Sequence, residues 1–109
     1  MKRTDAQLAR ESLEHLAILG QHVAEGSWGT QVLVDAVCLR LVAAIDAASR
    51  LSESGRVLAF GEAWPAIWAT RNRIVHGYTT VDRTIVRATV ENDLEPFAAA
   101  LHQVLDDLD

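Results

Sequence analysis

Between Val32 and Ala48 the chain carries only three charged side chains, Asp35, Arg40 and Asp46, in an otherwise apolar run. The spacing predicts a helix from about Thr30 to Ser52 that is apolar nearly all round, and such a helix must be surrounded by other elements. The run is shorter than the ~20 apolar residues a membrane span needs, and three charges count against insertion. The remaining solution is the central helix of a bundle, with apolar surface left over for a second subunit. Asp35 and Asp46 are eleven residues apart, about three turns, and therefore share a face.

What can surround that helix is limited by 109 residues, the size of one domain spanning 1–109. A hydrophobic share of 50% excludes disorder, and the one cysteine, Cys38, excludes an internal disulfide. The basic start is not followed by an apolar core, so no signal peptide is read there and the expected compartment is the cytoplasm. Thr4 to Gln7 reads as a capping box opening a first helix that runs to about Ala24. Gly26-Ser27-Trp28-Gly29 breaks it. Ser52-Glu53-Ser54-Gly55 reads as a turn, and Val57 to Gly61 is ambiguous, a short helical turn being one option. Pro65 suits the first turn of a third helix, Trp64 to Val75, with Gly77 as a left-handed stop. A fourth helix starts near Asp82. Its stripe Val86, Val90, Leu94, Phe97, Leu101, Leu105, Leu108 continues through Pro96, which predicts one long kinked helix. The expected fold is all-α, a four-helix bundle of the up-and-down type.

The chemistry concentrates in Arg71-Asn72-Arg73-Ile74-Val75-His76-Gly77-Tyr78. Arg71 falls on the apolar stripe of Trp64, Ile67, Trp68, Ile74 and Val75, where an unpaired guanidinium is costly. It requires an acid, a carbonyl or an anionic ligand, and Asp35 or Asp46 is the structural partner on offer. Asn72 and His76, four apart, share a face. His76 sits in the last turn, where the helix dipole favours a cation. Arginine clamps phosphate and histidine moves protons near neutral pH. Those are the needs of RNA cleavage without metal or cofactor: a base for the 2′-hydroxyl, an acid for the leaving 5′-oxygen, and a cation for the phosphoryl charge. One histidine does not easily serve as both acid and base, whereas a symmetric homodimer supplies two. A structural His–Arg cluster at a helix end is the competing reading of the same residues.

Arg71-Asn72-x-x-x-His76-x-Tyr78 resembles the R-N-x-x-x-H-x-Y signature of HEPN-domain ribonucleases, in particular the HepT toxin branch. The resemblance extends to Trp64-x-x-Ile67 before the motif, to Val81-Asp82-x-x-Ile85-Val86 after it, and to Asp93-Leu94-Glu95-Pro96-Phe97. It implies a bundle that dimerises with two motifs facing one cleft, with Arg71 and His76 as the catalytic pair and Asn72 orienting phosphate. It implies an RNA-cleaving toxin whose partner is an MntA-like minimal nucleotidyltransferase antitoxin. That antitoxin would add AMP to the motif tyrosine, here Tyr78. The sequence departs from the pattern at Arg87, where the family often has an aromatic residue, and in the tight turn Gly26–Gly29.

Other candidates are weaker. His15 and His22 stand seven apart on one helix, too far along the axis for one metal ion, and read as surface residues. His102, among acids, reads as solvent-facing. Cys38 lies among apolar neighbours and reads as a buried, inert thiol. Trp28 reads as packing over the bundle end. Arg73, Arg83 and Arg87 join Arg71 to place four of nine arginines between 71 and 87, and they are candidates for RNA-backbone contact. Residues 91–109 carry six acids and no Lys or Arg. A net charge of −5 therefore excludes a general RNA coat but leaves room for a local positive site. The alternative to a nuclease is a non-catalytic helical subunit that binds a nucleotidyltransferase and presents its substrate; a purely structural adaptor is the third.

Overall fold

Thr4 starts the fold by the reciprocal cap its sequence predicts. Its hydroxyl accepts from Gln7 N at 3.1 Å, while Gln7 Oε1 accepts from Thr4 N at 2.8 Å. The computed structural model describes residues 2–108, with the side chains of Tyr78 and Leu108 outside that description. Helix α1 spans Asp5–Glu25 and α2 spans Gln31–Ser49, the latter capped by Thr30, which accepts from Leu33 N at 3.3 Å. Three cross-links set their antiparallel register. Asp5 accepts from Ser52 N and Oγ at 2.8 and 2.5 Å, Ser12 Oγ donates to Ala44 O at 2.8 Å, and Arg40 Nη1 meets His15 Nδ1 at 3.1 Å.

The segment read as a turn is the start of a helix. Ser52 accepts from Gly55 N at 3.1 Å and so caps α3, Glu53–Phe60. Ser-Glu-Ser-Gly has turn composition, but Ser three residues ahead of an N–H is also a helix cap, and here Asp5, forty-seven residues away, holds Ser52 in place for it. α3 ends at Gly61, whose φ of 51° is the one left-handed backbone among the described residues; without a Cβ the chain turns there at little cost. A single 3₁₀ turn, Gly61–Ala63, leads into α4, Trp64–His76, with Pro65 in the first turn. Gly77 is not the left-handed stop expected: its φ is −136°. Its need for glycine is steric, since a Cβ would lie 3.1 Å from Arg73 O as the chain enters the 3₁₀ turn Tyr78–Thr80.

α5 runs Arg83–Leu108 without interruption, Pro96 included. Asp82 begins it, accepting from Thr84 N at 2.8 Å. Val86, Phe97 and Leu101 of its predicted stripe are buried, and Val104 joins them. The fold is all-helical among the described residues: four long helices with the short α3 between α2 and α4. Among the described residues no helix is long and apolar enough to cross a membrane.

α2 is the core's axis, with Leu33, Val37, Leu41, Ala44, Ile45 and Ala48 all buried. α4 packs on it, whereas α5 packs chiefly on α1 and α3, and α4 and α5 approach each other little. Between them opens an apolar trough of about 430 Å³, walled by Phe60, Ile67, Leu94 and Phe97 and floored by Leu41 and Ile45.

Ser12 is the buried polar residue, 0% exposed, beside Ala9 and Ala44, also at 0%. Ser12→Ala removes one hydrogen bond, while Ala44 O keeps its helical partner, so urea unfolding is expected to register a loss of about 1 kcal/mol. Ser12→Leu forces the two helices apart and is expected to cost about 1–3 kcal/mol more. Equal stability of the two variants would show that α1 and α2 are not closely packed at this point.

Candidate active site

A ladder of aromatic rings carries the core out to the motif. Phe97 and Phe60 stack with centroids 5.1 Å apart, Phe60 and Trp64 lie at 5.5 Å, and Trp64 and Trp68 at 5.9 Å. Trp64 and Trp68 are one turn apart on α4, so the helix itself holds them in line. The last rung is a cation: the Arg71 guanidinium carbon lies 4.8 Å from the Trp68 ring centroid. An electron-rich ring face attracts a guanidinium, and attraction from below fixes its plane.

Two further contacts fix it within that plane. Asp46 Oδ1 accepts from Arg71 Nε at 2.8 Å, and Asn72 Oδ1 accepts from Arg71 Nη1 at 3.1 Å. Of the two acids that share a face of α2, it is Asp46 that meets Arg71; Asp35 is exposed and accepts from Gln31 at 2.9 Å. Arg71 is thus not an unpaired buried charge. Its side chain is 23% exposed and that of Asp46 is 31% exposed, so the pair is half-buried. With its oxygen committed to Arg71 Nη1, Asn72 keeps its amide N–H₂ as a donor, and Arg71 keeps Nη2. Among the described residues no hydrogen bond uses either group.

His76 occupies the last turn of α4 and is exposed. The contacts of the described residues link Arg71 to Asn72 but link neither to His76. The side chain of Tyr78 lies outside the described residues; its backbone opens the 3₁₀ turn two residues beyond His76. Within one chain, therefore, the structure brings Arg71 and Asn72 together and leaves His76 apart from them.

The three arginines considered for RNA contact differ in their surroundings. Arg73 is exposed and borders a cleft of about 180 Å³ that continues the trough toward Asp82. Arg83 donates to Gly29 O at 3.2 Å and reaches Gln31 Oε1 at 3.4 Å, which ties the start of α5 to the α1–α2 turn. Arg87 pairs with Glu91 at 2.6 Å, with its guanidinium carbon 5.9 Å from the Trp28 ring. Trp28 packs at the bundle end as expected, half-buried against the core. His15 departs from its surface reading, being half-buried against Arg40, while His102 is exposed. Burial raises the Cys38 thiol above its ordinary pKa, and the charge of Asp35 adds to this, so the thiolate needed for nucleophilic chemistry is disfavoured. At the far end of the hairpin, the hydrogen bond from Arg3 holds Glu11 below its usual carboxylate range. Sequence reasoning named Asp46 as a partner for Arg71 but missed the role of Trp68, whose signal was its place three residues before Arg71, one turn below it.

The family model described as Ribonuclease HepT-like matches residues 9–104. The match begins within α1 and reaches into the final turns of α5, so it includes Asp46, Trp68 and the whole segment from Arg71 to Tyr78. No curated protein and no solved structure matches the chain.

Proposed function

The chain belongs to the HepT-like ribonuclease family, and from that premise we propose that it is a metal-independent RNA endonuclease, the toxin of a toxin–antitoxin pair. The observation that carries this reading is the presentation of Arg71. A guanidinium held at Nε by Asp46, at Nη1 by Asn72 and over the ring of Trp68 keeps Nη2 as a donor for a phosphate. In the reaction, the ribose 2′-hydroxyl gives its proton to His76 and attacks the adjacent phosphorus. Arg71 and Asn72 hold the non-bridging oxygens as charge gathers there. The 5′-oxygen leaves with a proton from a second histidine, which produces a 2′,3′-cyclic phosphate and a 5′-hydroxyl end.

The second histidine is that of another copy of the chain. Val32 and Leu39 are 79% and 66% exposed on α2, and the heptad step that separates them leads on to Asp46. A second copy laid along this stripe covers the apolar side chains and brings the two Arg71–Asn72 pairs toward one cleft. In this scheme Arg73, Arg83 and Arg87 flank the cleft as contacts for the RNA backbone. The antitoxin is a minimal nucleotidyltransferase of the MntA-like kind, working in the cytoplasm, and it transfers AMP to Tyr78. A phosphate two residues from His76 places negative charge where the RNA phosphate must sit, which blocks binding.

The exposure of His76 together with the Asp46–Arg71 pair also favours a second reading, a non-catalytic subunit that presents substrate to a nucleotidyltransferase. Purified protein in EDTA decides between them. The nuclease is expected to cleave RNA there, and His76→Ala and Arg71→Ala are each expected to lower the rate about 100-fold or more with the helical circular dichroism unchanged. Variants as active as the wild type would remove the two residues from the scheme, and an inert wild type would favour the second reading.

Leu39→Glu is expected to shift the protein from dimer to monomer in sedimentation velocity and to abolish cleavage with it; full activity as a monomer would sink the shared cleft. Coexpression with the nucleotidyltransferase is expected to add an AMP-sized mass increment that Tyr78→Phe eliminates, and an increment that survives the substitution would place the modification elsewhere.

A further inference from the structure

Asp46 stands on α2, twenty-five residues before the arginine it meets. It is the one carboxylate that touches the Arg71–Asn72 pair among the described residues. Its partner is held from three sides: Asp46 Oδ1 at 2.8 Å from Nε, Asn72 Oδ1 at 3.1 Å from Nη1, and the Trp68 ring 4.8 Å from the guanidinium carbon. Two of the five guanidinium N–H groups are thereby used. The edge they leave open includes Nη2. With Asp46 and Arg71 at 31% and 23% exposure the pair is half-buried, and the desolvation of two charges offsets much of their attraction, so it adds only modestly to folding stability. Stability alone is thus a poor reason for an acid at this position. Orientation is a better one, because a free arginine side chain has many rotamers and a bidentate phosphate clamp tolerates few.

We infer that Asp46 is a positioning residue for RNA cleavage: by accepting from Nε it fixes the Arg71 guanidinium on Trp68 so that the Nη2 edge meets the phosphate. The inference rests on the reading of Arg71 as the phosphate ligand. Asp46 itself does not touch RNA. Its charge also offsets part of the arginine's, so it lowers ground-state attraction for phosphate while preserving the alignment needed as the phosphorane forms. The two effects separate in kinetics. Loss of Asp46 acts on turnover, with substrate held no more weakly than before.

The test compares Asp46→Ala, which removes the acceptor, with Asp46→Asn, which keeps an oxygen acceptor at the same reach and loses the charge. For a short single-stranded RNA, Asp46→Ala is expected to lower kcat about 10- to 100-fold with KM unchanged or reduced. Asp46→Asn is expected to keep kcat within about threefold of wild type, since the Nε hydrogen bond survives. A second measurement is independent of activity. The Arg71 Nε–Hε resonance is expected to be sharp and slow to exchange in wild type and Asp46→Asn, and broadened or lost in Asp46→Ala.

An unchanged kcat in Asp46→Ala overturns the inference, as does an Asn variant as impaired as Ala, or a resonance indifferent to Asp46. A thermal midpoint near that of wild type for both variants excludes unfolding as the cause. If wild-type protein cleaves no RNA, or Arg71→Ala cleaves as well as wild type, it is the nuclease reading that fails. The resonance still reports whether Asp46 holds Arg71.

Discussion

The close approach of α1 to α2 is the constraint from which the site follows. Ala9, Ser12, Ala44 and Ala48 are all at 0% exposure, and side chains this small allow two helices to approach closely over several turns. One hydrogen bond from Ser12 to Ala44 O fixes how far the helices can slide past each other. Asp5 closes the same hairpin at its end by gripping Ser52, which in turn caps α3. The rotation of α2 about its own axis is thereby set. Leu41 and Ile45 turn toward α4 and α5, Ala44 and Ala48 toward α1, and Asp46 comes within reach of Arg71. A change in the packing of α1 would be felt at Arg71 without any residue of the site being altered.

α4 and α5 are placed differently from the hairpin. They scarcely touch, and the trough between them is lined by apolar side chains. α4 rests on α2 with Ile74 in the core, and the aromatic ladder from Phe97 through Phe60 and Trp64 to Trp68 aligns it. Ring stacking gives direction without filling the volume beneath, so the helix is anchored along one side and open on the other. His76, at the end of this helix, has no rung of the ladder below it and is exposed. The contrast between the fixed arginine and the free histidine is therefore built into the way α4 is attached.

Much of this organisation was legible in the sequence, and the failures have identifiable physics. The cap at Thr4, the breaker at Gly26–Gly29 and the stripe of α5 depend on interactions within one or two turns, which spacing alone reports. Ser52–Gly55 was misread because its local composition suits a turn as well as a cap; the deciding partner, Asp5, is forty-seven residues away. Gly77 was assigned left-handed geometry because most helix-ending glycines adopt it, yet here the demand is room beside Arg73 O. For Arg71, burying an unpaired charge costs so much that an acid partner was expected. The choice between Asp35 and Asp46 depended on the rotation of α2, a tertiary quantity that helical spacing could not supply. Trp68 escaped notice since apolar residues on an inward stripe are read as core, and it is both core and platform.

An ion pair of this kind also explains how an acidic chain can address a polyanion. The charge of −5 sets a field that repels RNA at distance, and salt screens that field beyond about 8–10 Å. Inside the screening length local groups dominate. On the proposed reading Asp46 does not spoil the cation that receives phosphate, because a carboxylate on Nε takes the side of the planar ion and leaves its Nη end for the ligand. The first immobilises what the second will use. Ground-state affinity is sacrificed, and the donors that remain are already aligned when charge develops, so they need no reorganisation at that moment. For a nuclease of the proposed kind, which must release its product, weak binding with good alignment is the more useful combination.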